Sequence, residues 1–184
     1  ALTGSATDVE SQIIDMHVHA FGFDEYGFPA PPNEVTGIVP RFDSDEAAMH
    51  GALLAMQRAG VVRAVASGPL RHVRRWSDAH PSIIGGAYTG SRDALPPVNE
   101  LRSLITAGQV GVLGELGLQY RGLTPSAPEL EAYWQLAADL DVPVGVHTGL
   151  GDAGTPYGCC PDFRAALGNP LLLEDVLVQH PNLR

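Results

Sequence analysis

The sequence predicts an α/β fold of the (β/α)8 TIM-barrel type, of which about the first five β/α units are present. Three observations predict it. Short apolar runs alternate with amphipathic helical stretches five times along the 184 residues. Strands separated by helices must run parallel, joined by right-handed crossovers. The side chains best suited to hold a metal, His17, His19, Glu115 and His147, fall at the C-terminal ends of the first, fourth and fifth runs. In a closed barrel those ends look into one mouth, whereas in an open doubly wound sheet they need not share a crevice.

Residues 12–19 make the first strand. Its run Ile13-Ile14-Asp15-Met16-His17-Val18-His19 reads as buried, and alternation puts His17 and His19 on one face, aimed at one point. Asp15 shares that face, either to accept from an imidazole N–H or to make a structural hydrogen bond deeper in the strand. A Gly/Pro/Phe-rich loop spans residues 20–41, and Asp43 with Glu46 three positions on offers a capping box. Met49, Leu53 and Met56 follow at helical spacing as core side chains, and Gly60 stops that helix.

Residues 61–67 are strand two, and 69–80 a helix with Leu70, Val73 and Trp76 on one stripe. Residues 82–89 are strand three, 96–107 a short helix with Leu101, Leu104 and Ile105, and 110–116 strand four. In strand four, Gly111 and Leu113 share the face of Glu115 by alternation. Ser126-Ala127-Pro128-Glu129 offers a second capping box before the stripe Leu130, Tyr133, Trp134, Ala137 and Leu140. Residues 142–148 are strand five, 149–168 a Gly-rich loop, and Asn169-Pro170 the N-cap and N1 of a last helix reaching about residue 179. The domain is expected over residues 12–184, preceded by a small, polar tail at 1–11.

A formal net charge of −10 with no lysine among 11 basic residues argues against nucleic acid and anionic membrane surfaces as partners. Arg71, Arg74 and Arg75 read as the solvated face of a helix. No apolar stretch approaches a membrane span. Cys159 and Cys160 are neighbours. Adjacent Cα atoms lie about 3.8 Å apart, below the usual disulfide range, so no ordinary bridge is expected between them. The pair reads as loop cysteines with one sulfur buried or, alternatively, as a vicinal thiol pair at a site. The Ala1 end fits a cytoplasmic protein or, as the product of signal-peptide cleavage, a periplasmic or secreted one.

His17, His19, Glu115 and His147 offer N, N, O and N donors, a set that suits Zn2+, Mn2+ or Fe2+. The motif Ile14-Asp15-Met16-His17-Val18-His19 resembles the first-strand signature of the amidohydrolase superfamily, particularly its amidohydrolase-related branch. Gly114-Glu115-Leu116-Gly117 resembles the Gly-Glu-Ile-Gly of TatD-like deoxyribonucleases, although the acidic charge argues against DNA. With no lysine to carboxylate, Glu115 takes the fourth-strand ligand position, and His147 matches the fifth-strand histidine.

The resemblance implies a barrel enzyme with one or two divalent ions, most simply Zn2+. Metal-activated water would attack an amide, ester or related bond of a small molecule. It also implies a strand-six histidine and a catalytic strand-eight aspartate, both absent from this chain. His180-Pro181-Asn182-Leu183-Arg184 resembles the segment just before the family's sixth strand, which implies that His180 caps the preceding helix and is not a ligand. A barrel usually needs about 250 residues, so the chain is expected to be truncated. The open edges of five strands then admit homo-oligomers.

The loops after strands one and five would frame the substrate, with Phe21, Phe23, Tyr26 and Tyr157 as candidate lining. One alternative is metal-dependent, non-oxidative decarboxylation of an aromatic or enol acid, for which Arg41 is the candidate partner of the substrate carboxylate. Another is a non-catalytic flavodoxin-like binding domain. Against that reading, Ala20-Phe21-Gly22-Phe23 after strand one is no phosphate-binding glycine loop.

Overall fold

The computed structural model describes residues 12–184 apart from 26, 34, 91–93 and 152. The tail at residues 1–11 and Tyr26 therefore lie outside the described residues. Five parallel strands, β1 (Ile13–His19), β2 (Val61–Gly68), β3 (Ile83–Thr89), β4 (Val112–Leu116) and β5 (Val144–Val146), stand side by side in chain order. That order decides between the two architectures. A flavodoxin-like sheet runs 2-1-3-4-5, with helices on both faces. Sequential order with helices on one side is the wall of a barrel, so the flavodoxin-like alternative falls.

Helices α1 (Asp45–Arg58), α2 (Leu70–Ala79), α3 (Val98–Thr106) and α4 (Glu131–Asp139) follow the first four strands. After β5 come the short α5 (Thr155–Gly158), two 3-10 turns and α6 (Glu174–Gln179). Two cores lie between sheet and helices. Met49, Met56, Val73 and Trp76 pack on Ala64, Ala66 and Ile83; Leu101, Leu104, Trp134 and Val176 pack around Leu113 and Leu116. Beyond α6 the chain returns to β5, where Val144 N–H donates to Arg184 O at 2.7 Å.

Four local expectations need correction. The cap of α1 is Ser44 rather than Asp43: Ser44, with φ −158° and ψ 155°, accepts from Ala47 N–H at 3.3 Å. Ser44→Ala should cost about 0.5–2 kcal/mol in urea unfolding, with Asp43→Ala near neutral. Ser126 caps nothing, because Pro128–Leu130 is a 3-10 turn and α4 begins at Glu131 without a side-chain cap. β1 is not buried: Ile14 is 59% and Met16 64% exposed, because an edge strand of an unclosed wall has a neighbour on one side only. Cys159 and Cys160 are joined by a disulfide. The chain turns at Cys159, the C-cap of α5, and brings both sulfurs to one side.

His72, in the first turn of α2, is only 4% exposed and sets its Nδ1 3.6 Å from Asp45 Oδ2. Burial holds its pKa below the ordinary histidine value, against the attraction of Asp45. The unfolded chain therefore takes up this proton more readily, so the stability is present above about pH 6.5 and lost as pH falls. His72→Gln should flatten the fall of the melting temperature between about pH 6.5 and 5.

Candidate metal centre

The alternation expected along β1 and β4 breaks between Asp15 and Val18 and between Leu113 and Leu116, and both breaks serve the site. On β4, Leu113 pairs with Val144 and Leu116 with Val146, three steps against two. On β1, Asp15 pairs with Ala64 and Val18 with Ala66, again three against two. Each is a bulge, whose extra residue re-aims the side chains that follow. Glu115 therefore joins Gly114 and Val112 on the barrel-side face, while Leu113 turns into the helix-side core. Leu113 does not share the face of Glu115, as period-two reading had it. Asp15 likewise pairs beside core residue Ala64, away from the face of His19, which pairs with Ser67. Asp15 Oδ1 accepts the His17 backbone N–H at 3.0 Å, the structural one of its two candidate roles.

Gly114 permits the β4 bulge. A Cβ there would lie 2.7 Å from Gly145 O and 2.9 Å from Gly145 N, both backbone atoms of β5. Gly114→Ala should destabilise by about 1–3 kcal/mol in chemical denaturation and weaken metal binding, because Glu115 moves with the bulge.

Three side chains converge at the mouth. His17 Nε2 and His19 Nε2 are 3.0 Å apart, and Glu115 Oε2 lies 3.3 Å from the first and 3.7 Å from the second. His147, just past β5, lies outside this trio. Its Nδ1 is 2.6 Å from the other oxygen, Glu115 Oε1, and its Nε2 is 3.4 Å from Tyr120 Oη. Bonds of about 2.0–2.1 Å to a tetrahedral ion set its donors about 3.3–3.4 Å apart. The observed separations bracket that spacing, so the trio fits a four-coordinate ion. His19 Nδ1 is buried without a hydrogen-bond partner, which leaves the ring oriented by packing against Phe21, stacked at 4.5 Å.

The electrostatics favour the protonation states that ligands need. Burial lowers the His19 pKa, opposed by Glu115 and aided by His17 and His147, so the ring stays neutral. Burial alone would raise the Glu115 pKa. The His147 hydrogen bond and the neighbouring imidazoles outweigh it and hold the carboxyl below its ordinary value, ionised.

His19 and Glu115 of the trio, together with His147, line a cavity of about 720 Å³. Phe21 lines it, as do Tyr88, Tyr120 and Cys159, which the sequence reading missed. A signal existed for both tyrosines: Tyr88 sits next to the end of β3 and Tyr120 just after β4, where a barrel keeps its chemistry. Other candidates lie elsewhere. Phe23 packs against Phe28 with its backbone N–H on Asp45, Tyr157 is 95% exposed, and Arg41 is exposed away from the cavity.

The amidohydrolase family model matches residues 14–184. The chain belongs to the amidohydrolase family. No curated protein matches it. Among solved structures it is similar to the 5-carboxyvanillate decarboxylase LigW of Sphingomonas paucimobilis, with 11% identity and a TM-score of 0.57 over 94% of this chain and 66% of that one. It is also similar to 2,6-dihydroxybenzoate decarboxylase from Rhizobium, with 16% identity and a TM-score of 0.51 over 94% of this chain and 64% of that one. A third is a probable 2-pyrone-4,6-dicarboxylic acid hydrolase of Acinetobacter baumannii, with 17% identity and a TM-score of 0.45 over 74% of this chain and 49% of that one. This amidohydrolase chain thus spans half to two thirds of the length of these solved chains. The likeness to the two decarboxylase structures speaks to the fold alone: five strands of a barrel wall.

Proposed function

We propose that this amidohydrolase chain carries the metal centre of a hydrolase that cleaves an amide, ester or related bond of a small molecule. One observation carries the proposal: His17 Nε2, His19 Nε2 and a Glu115 oxygen converge within 4.8 Å. Two nitrogens and a carboxylate suit Zn2+ best, with Mn2+ and Fe2+ compatible. When bound, such an ion supplies Lewis acidity and lowers the pKa of water from about 15.7 towards 7.

The chain's own residues do the rest. His17 and His19 offer Nε2 to the ion and Glu115 offers Oε2. His147 holds the other carboxylate oxygen and fixes the direction in which Glu115 points; were a second ion present, His147 would be its ligand. Phe21, Tyr88 and Tyr120 give the cavity aromatic walls against which a substrate can pack.

Those walls also favour a second reading, decarboxylation of an aromatic or enol acid, because ring faces stack on planar substrates. Against it, no arginine lines the cavity among the described residues. Zinc-loaded protein should be given aryl esters, amides and lactones in one panel and hydroxybenzoates in another. Release of acid and alcohol or amine supports the hydrolase; carbon dioxide from the second panel alone supports the decarboxylase. Metal binding without turnover on either panel would sink both readings for this chain.

A further inference from the structure

The segment between β5 and α6 carries both cysteines of the chain, and the metal chemistry uses neither. They form one disulfide whose sulfurs stand in different surroundings. Cys160 is 2% exposed; its N–H donates to Thr155 O at 3.2 Å and its carbonyl accepts from Phe163 N–H at 2.9 Å. Cys159 is exposed and lines the cavity that His19, Glu115, Tyr120 and His147 also line. Thiol–disulfide exchange starts when a thiolate reaches one of the two sulfurs, so access selects the one attacked.

We infer that Cys159–Cys160 is a thiol–disulfide exchange site in the wall of the mouth, opened from the cavity by a small thiol that becomes bound to Cys159. The incoming thiol loses its proton and its sulfur bonds to Cys159 Sγ. The Sγ–Sγ bond breaks, and its electron pair leaves with Cys160 Sγ, which takes up the proton. A second thiol then bonds to the sulfur of the first and releases a small disulfide, leaving two protein thiols. Two small thiols are oxidised as one protein disulfide is reduced. While the mixed disulfide lasts, its small-molecule half occupies the cavity beside His147. That occupancy follows from the shared lining of His147 and Cys159; only its effect on turnover rests on the cavity being the substrate mouth.

The test needs neither turnover nor bound metal, so failure of the metal centre leaves its outcomes unchanged. Protein alkylated with N-ethylmaleimide in denaturant should carry no adduct. Protein first treated with dithiothreitol under native conditions should carry adducts on both cysteines. A Cys160→Ser variant exposed to glutathione disulfide should carry glutathione on Cys159. Reaction of His147 with diethyl pyrocarbonate, read by peptide mass, should then slow several-fold, while the exposed His50 of α1 reacts as before. Should that variant fail to fold, reduced wild type alkylated natively on Cys159 gives the same readout. Adducts on both cysteines without reductant would overturn the inference. So would a disulfide that dithiothreitol reduces only in denaturant, or a Cys159 adduct that leaves the His147 rate unchanged.

Discussion

Replacing His17 and His19 together by alanine should abolish stoichiometric binding of zinc, with affinity falling by more than about 100-fold, beyond what the loss of a group that merely supports a ligand costs. The trio offers two of its three donors from β1 alone, so the variant leaves Glu115 with no partner for a shared ion. The side chains removed are half-exposed and sit at a strand end, outside both cores. The variant should therefore fold. Plasma mass spectrometry on the dialysed proteins gives the metal content, and thermal unfolding gives a second measure. An ion present at 1,000 times its dissociation constant adds about 4.1 kcal/mol to a fold that alone binds it. Wild type should gain that amount with zinc and the double variant nothing. A wild type that melts at the same temperature with and without zinc would remove the metal centre from this chain.

The residues of the trio were legible in the sequence; their aim was not. Strand-end position picked out His17, His19, Glu115 and His147, and the strand ends do face one mouth. Period-two alternation then placed Leu113 and Asp15 beside the ligands, and the bulges at Met16-His17 and Gly114-Glu115 moved both away. A bulge leaves no mark in a hydrophobic pattern, because Gly114 is selected by the backbone of β5 rather than by burial. β5 is shorter than the apolar run 142–148 for the opposite reason. Val142 is apolar and buried, yet pairing with β4 begins only at Val144, after Pro143, which has no N–H to give. In the sequence Tyr88 and Tyr120 read as packing residues, and only the shared cavity distinguishes them.

The scaffold behind the trio should respond to a single truncation. Trp134 of α4 is 2% exposed, packs in the cluster that holds Leu101, Leu113 and Leu116, and donates its indole N–H to Pro125 O at 2.9 Å. Trp134→Ala removes one of the largest buried side chains among the described residues and should cost about 3–5 kcal/mol. A domain stable by about 5–15 kcal/mol comes close to unfolding at that cost. The same cluster backs β4, whose bulge carries Glu115, so fold and site are linked thermodynamically. Saturating zinc, worth about 4.1 kcal/mol at 1,000 times its dissociation constant, should return Trp134→Ala to roughly the melting temperature of metal-free wild type. Adding the His17→Ala/His19→Ala changes to that variant should cancel the recovery. Recovery that survived their loss would mean that zinc stabilises the fold elsewhere and that the trio is not where it binds.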